Sequence, residues 1–420
     1  MELLTEAQHE FQLTDDSKTL ISEIKKFNNR FLKLEPDISD ETTTFFKEMY
    51  DNILDAKKDF KKTSVKNFSI NEVTSQTQIP KPDSFHPHFF PDEIIKSIDT
   101  IASHTMSFDY TISKRSVNVQ LVFMDKNSIS EIEQQYTQYV EMIYIITHLL
   151  NNYSSIECGK NLSLFIYLTD FKKKVPMSPL DEFDTKHVNT AYSDVCTTDS
   201  HIVIYRNEEL IKVLIHELFH NYGLDFSRVK YTSMKEKMLQ LFPIKTDCEL
   251  TESYAEFFGE IINIAITTYY LDDSVKLTTY IHNAHYLLFY EKLFSLIQSV
   301  KVLYKIGLEY DNLYLQDEVS NTLRNNIYYN ENTNVFCYYI VKNILLFNCP
   351  EFITFCNKRN LQLLDFRKTN VTLDLFYEFI KDHHNDKRFL QIIHKIEKNI
   401  QSIEHPLLKY TARISCIEMN

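Results

Sequence analysis

Apolar residues recur every third or fourth position over most of this 420-residue chain; only a central stretch alternates or runs together. Helical spacing dominates residues 6–66, where "DETTTFFKEMYDNILDAKKDF" has neither Gly nor Pro and predicts a helix. The next segment, "SQTQIPKPDSFHPHFFPDE" (75–93), carries four prolines and reads as a linker or an extended crossing. "SVNVQLVFMD" (116–125) alternates and predicts a strand, residues 130–152 a long helix, and "LSLFIYLTDF" (162–171) a largely buried strand. Residues 190–206 read as a turn-separated pair ending in the strand "HIVIYR". A helix follows, with Asn207 as its cap, Glu208 and Glu209 in its first turn, and Gly223 as its stop. Past Gly223 the pattern is irregular to about Asp247. A second helix runs from about Thr251 to Tyr270, and 272–420 is almost all helical. The fold class is therefore α+β, in four parts: a helical region at 1–74, a Pro-rich linker at 75–114, a mixed core at 115–270 and a helical domain at 271–420.

Composition narrows the function classes. A net charge of −13 argues against a basic nucleic-acid face. The longest apolar stretch, "FFGEIINIAITTYYL", holds Glu260 and is too short to span a bilayer, so no membrane partner is expected. The N-terminus lacks a secretory pattern. Seven scattered cysteines with no CxxC pair suggest reduced thiols and an intracellular location, cytoplasmic or virion-associated. There are only four glycines, so each is expected to have a backbone or packing reason.

The candidate chemistry lies in "VLIHELFHNYGLDFS" (213–227), which contains His-Glu-x-x-His at His216, Glu217 and His220. On a helix the two histidines project from one face, one turn apart, and can reach a single metal ion. Glu217 sits beside them, where a base can meet a water molecule. The stripe Glu209, Lys212, His216 and His220 also fits an ordinary solvent face. A third ligand must therefore come from elsewhere. Continuing the motif through Gly223 puts Phe226 at the ligand position, with Asp225 out of register by one. The alternative is "LTESYAEFFGEI" (250–261), where Glu252, Ala255, Glu256 and Gly259 share one helical face. Two small residues let another helix approach closely, and two carboxylates on such a face need a partner. A metal site explains both, with Glu252 or Glu256 as the ligand.

"HELFH…TESYAEFFGE" resembles the gluzincin metallopeptidases, a branch of the zincins, over about 115–265. It is also similar to uncharacterised metallopeptidases of large DNA viruses. The resemblance implies a zincin-like core in which zinc is held by His216, His220 and Glu252. Glu256 would orient a ligand histidine from behind. The strand–helix–strand–strand–helix order matches the N-terminal half of that core, whose last strand runs beside bound substrate. Two departures stand out: Thr251 replaces the usual Asn, and 32 positions (252 − 220) separate His220 from Glu252, more than is usual there.

The expected activity is hydrolysis of a peptide or protein substrate, with Glu217 as general base. Tyr280 and His285, in "TTYIHNAHYLLFYEK", are candidates for the oxyanion donor, and Asn189–Tyr192 for the substrate edge. The alternative is a non-enzymatic structural or virion-associated protein that retains the fold or a structural zinc.

Overall fold

The computed structural model describes residues 12–82, 89–124, 129–178, 181–271, 276–326 and 331–419. Two helices, α1 (Asp15–Phe27) and α2 (Asp40–Phe60), open the chain. Strand β1 (Lys66–Glu72), helix α3 (Asp92–Ile101) and strands β2 (His104–Ile112) and β3 (Arg115–Phe123) follow. Helix α4 (Ile129–Asn151) crosses over to β4 (Asn161–Leu168). The short helix α5 (Thr185–Val188) then leads into β5 (Ala191–Ser193) and β6 (Asp199–Ile204). The strands form one mixed sheet in the order β1-β2-β3-β4-β6-β5. The β3–β4 and β4–β6 pairs are parallel, and the flanking pairs are antiparallel. A parallel pair needs a long crossover, and α4 supplies it between β3 and β4.

Alternation on the strands separates two apolar layers. Val117, Val119, Leu121, Leu164, Ile202 and Ile204 join the main core, which runs from Leu13 to Ile417. Val122, Tyr167, Val203 and Tyr205 point to the opposite face, where Ile94 and Ile98 of α3 cover them. The main-core face receives α6 (Leu210–Asn221), which follows β6 almost directly. Leu214, Ile215, Leu218 and Phe219 are fully buried there. After α7 (Thr232–Leu241), helix α8 (Leu250–Tyr270) packs across α6. Burial of α8 on nearly every side suits a helix that is apolar all round.

The C-terminal part is helical: α9 (Leu277–Ile306), α10 (Glu318–Asn326), α11 (Lys342–Phe347), α12 (Cys349–Arg359), α13 (Asn370–His383), α14 (Lys387–Asn399) and α15 (Pro406–Tyr410). A π-helical turn, Phe336–Val341, precedes α11. The last residues return to the start of the chain: Thr14 N–H donates to the Glu418 carbonyl at 3.0 Å, and Ala412 N–H to Lys173 at 3.0 Å.

Several expectations are corrected. The segment 75–114 is no linker, since it holds α3 and β2, and β1 lies within the region expected to be purely helical. The stretch after Gly223 contains α7. The last strand, β6, is not the sheet edge; β5 is. Cys158 and Cys196 form a disulfide, which corrects the reading of all seven thiols as reduced. No helix among the described residues is long and apolar enough to cross a membrane.

The entry to α6 also departs from expectation. Glu209, not Asn207, is the flanking residue, in a left-handed conformation (φ 62°). Its carboxylate does not face the helix end. It pairs with Lys173 at 2.7 Å and accepts from the Ile414 and Ser415 amides at 3.1 and 2.6 Å. Full burial works against the Glu209 carboxylate, yet the Lys173, Lys212 and Arg413 cations outweigh it and hold its pKa at about 2. The folded-state value lies below the unfolded one, so this contribution is complete above about pH 4.5 and is lost as pH falls toward the folded value. Glu209→Ala should therefore lower the unfolding free energy by about 3–5 kcal/mol at neutral pH. In urea titrations the gap from wild type should narrow below about pH 4. A gap independent of pH would contradict the ion-pair role.

Candidate metal centre

The face of α8 that carries Glu252, Ala255, Glu256 and Gly259 meets the polar stripe of α6. A Cβ on Gly259 would lie 3.4 Å from the Lys212 carbonyl oxygen and 3.6 Å from His216 Cβ. The backbones approach closely there, as the small residues require. Lys212, His216 and His220 are therefore buried, not solvated.

At the open end of this interface three side chains converge. His216 Nε2 lies 3.1 Å from Glu252 Oε2 and 3.1 Å from His220 Nε2. His220 Nε2 lies 3.4 Å from the same carboxylate oxygen. His216, His220 and Glu252 could hold a metal ion between them. Both imidazoles are gripped from behind. His216 Nδ1 makes an ion-pair contact with Glu256 Oε2 at 2.6 Å, and the other Glu256 oxygen meets the Lys212 ammonium. His220 Nδ1 contacts Asp225 Oδ2 at 2.5 Å, and Asp225 in turn accepts from the Ser227 amide and hydroxyl. Glu256 and Asp225 sit behind the two Nδ1 atoms, and both Nε2 atoms face Glu252. Two imidazole nitrogens and a carboxylate oxygen at 3.1–3.4 Å need a proton or a metal ion among them.

The electrostatics agree. Burial disfavours the charged form of His216, but the Glu256 and Glu252 carboxylates prevail and hold its pKa up at about 9. His220 is raised by Glu252 and Asp225 against the same burial. Glu252 and Glu256 are held well below the usual carboxylate range: burial opposes this, but the surrounding cations together outweigh it, led by His220 for Glu252 and by Lys212 for Glu256. The site draws in positive charge.

Glu217 points into the same cleft, and its Oε2 accepts the Ser193 hydroxyl at 2.6 Å. Burial pushes the Glu217 carboxyl up, against the pull of both histidines. The cleft has a volume of about 1470 Å³ and is bordered by Phe89, Tyr192 and Ser193 on one side and by Glu331–Asn334 and Tyr338 on the other.

Tyr280 and His285 do not belong to it. Tyr280 is fully buried against Tyr50, with ring centroids 4.9 Å apart, and His285 Nε2 meets the Thr43 hydroxyl at 3.0 Å beside Phe46. Both lie on α9 and face α2. Asn189, Ala191 and Tyr192 do line the cleft. Phe226 is fully buried among aromatic rings, which leaves Asp225 behind His220.

Two residues went unnoticed in the sequence. Ser193 lies on β5, at the sheet edge, and its hydroxyl meets Glu217. Tyr338 sits in the π-helical turn, its ring centroid 6.1 Å from that of His216. Burial pushes the Tyr338 phenol up, and Glu252, Glu217 and Glu256 push it further, so it stays a proton donor. A π-turn often marks a functional position, but its sequence carries no signal that separates Tyr338 from the other 25 tyrosines.

No family model, curated protein or solved structure matches this chain.

The close approach at Gly259 is testable. Gly259→Ala fits and should be neutral or stabilise by up to about 1 kcal/mol through helix propensity. Gly259→Leu should cost about 1–3 kcal/mol by forcing α6 and α8 apart. Urea unfolding of the two variants distinguishes this from an uncrowded glycine, for which both substitutions would be stabilising.

Proposed function

We propose that this protein is a zinc-dependent metallopeptidase with a zincin-like core. The observation that carries the reading is the His216–His220–Glu252 triangle with Glu217 beside it in one cleft. Tetrahedral zinc with bonds of about 2.0–2.1 Å sets its ligand atoms about 3.3 Å apart. The three separations here are 3.1, 3.1 and 3.4 Å. Two imidazoles and one carboxylate form a ligand set typical of catalytic zinc, and three protein ligands leave a position open. The carboxylates behind each imidazole fit the same use.

Zinc held there supplies Lewis acidity, acidifying water and polarising a carbonyl. The remaining work falls to the chain. Glu217, raised by burial and steadied by Ser193, takes a proton from water in the cleft and returns it to the leaving amine. Tyr338, kept protonated, donates to the oxygen on which negative charge develops. Strand β5 offers its outer edge to an extended substrate. Thr190 and Asp194 hydrogen-bond to β6, so in alternation the backbone groups of Ala191 and Ser193 face outward. A peptide laid antiparallel there would cross the face of Glu217. A cleft of about 1470 Å³ exceeds the usual small-molecule pocket of about 300–1,000 Å³ and suits a polymer.

Purified protein should bind about one zinc per chain. Glu217→Gln should keep the metal and lose about 10²–10⁴-fold in peptide cleavage, whereas Glu252→Ala should lose both. Zinc without cleavage of any peptide in a broad library would leave only a structural role, and absence of zinc would refute the reading. Tyr338→Phe should lower kcat by about 10²–10³-fold with KM little changed. An unaltered kcat would remove Tyr338 from the mechanism.

A further inference from the structure

Resting on the peptidase reading, we propose that Phe89 and Tyr192 form a specificity subsite for an aromatic or large aliphatic side chain of the substrate. It is the subsite for the residue that pairs with Tyr192 on the edge of β5. The inference follows from strand geometry. Successive residues of β5 point to opposite faces of the sheet. Ser193 points toward α6, where its hydroxyl reaches Glu217, and Ala191 packs into the main core on that side. Tyr192 therefore points to the other face, where it packs against the second apolar layer. A substrate strand paired with β5 alternates in the same way, and side chains directly opposite share a face. Residues opposite Ala191 and Ser193 turn toward Glu217, and the residue opposite Tyr192 turns toward Tyr192.

What it meets there is aromatic. The Phe89 and Phe90 rings lie 6.4 and 6.5 Å from that of Tyr192. Phe90 is buried and stacked on Tyr205 at 4.6 Å, so it serves as the base of the wall. Phe89 is 44% exposed and borders the cleft beside Tyr192. The wall is held in place, since the Tyr205 hydroxyl donates to the Phe89 carbonyl at 2.9 Å. An apolar side chain there would be covered by two rings, and a charged one would lose hydration without a partner in the wall.

The competing basis for selection is charge. Asp92 and Glu93, at the start of α3, are exposed on the same rim and would favour a basic residue. A peptide library that varies one position at a time separates the two. Wild type should prefer Phe, Tyr or Leu over Ala at one position by about tenfold in kcat/KM, the order expected for one apolar subsite. That Phe-to-Ala ratio should collapse toward one in Phe89→Ala and in Tyr192→Ala, and be kept in Phe89→Leu. A preference for Lys or Arg at that position, or a Phe-to-Ala ratio unchanged in both alanine variants, overturns the proposal.

A binding measurement distinguishes its failure from that of the peptidase reading. The chain has no tryptophan, so a Trp-containing peptide reports its own binding by fluorescence. Titrated into full-length Glu217→Gln, the Trp peptide should bind about tenfold tighter than its Ala analogue competing for the site, and Phe89→Ala in that background should abolish the difference. If no peptide is cleaved but this difference is seen, the subsite stands and the peptidase reading falls. Equal affinity of the two peptides removes the subsite, whatever the protein cleaves.

Discussion

The contact on which the rest of the site depends is the buried chain Lys212–Glu256–His216 between α6 and α8. Glu256 is 1% exposed, and removing a carboxylate from water costs several kcal/mol unless cations offset it. Lys212 and His216 do so from the facing helix, which fixes the register of α8 on α6. Ala255 and Gly259 permit the approach. Once the register is fixed, Glu252 emerges one turn earlier on α8, at the height of both Nε2 atoms. The charge chain continues inward: Glu209 faces Lys173, and its carboxylate also holds the amides of 414 and 415. The C-terminal tail and α6 are thus tied through one buried network.

The same arrangement explains how Glu217 differs from the other acids nearby. Glu252 and Glu256 are surrounded by cations and stay ionised. For Glu217 burial outweighs His216, His220 and Ser193 together and raises its pKa, whereas for Glu252 and Glu256 the cations together outweigh burial. Glu217, adjacent in sequence to His216, thereby acquires a separate chemical character. Its partner Ser193 comes from the sheet edge, which couples the orientation of Glu217 to the strand proposed to carry substrate.

Much of α6 and α8 was legible in the sequence because both signals are periodic and local. Glu252, Ala255, Glu256 and Gly259 share a face by spacing alone, and the structure sets that face against α6. The strand–helix–strand–strand–helix order through 115–221 was legible for the same reason, with α5 and the short strand β5 as additions to it. Other features rest on contacts distant in sequence. Tyr338 reaches the cleft from the C-terminal half through an irregular turn, and no periodicity announces it. Tyr280 and His285 lie on a helix buried on most sides, so spacing could not tell which face met α2. Prolines between 80 and 91 obscured α3 and β2, which form because they cover and extend the sheet. Cys158 and Cys196 are 38 residues apart and meet only where Gly223 leaves room beside both sulfurs.

The central claim, that this interface assembles a catalytic zinc site, is tested most directly by X-ray absorption at the zinc edge on the purified full-length chain. The expected spectrum shows two imidazole nitrogens and two light oxygen scatterers at about 2.0–2.2 Å, with no sulfur. In Glu252→Ala, zinc should be absent or depleted. Sulfur scattering at about 2.3 Å, or a wild-type spectrum reproduced unchanged by Glu252→Ala, would contradict it.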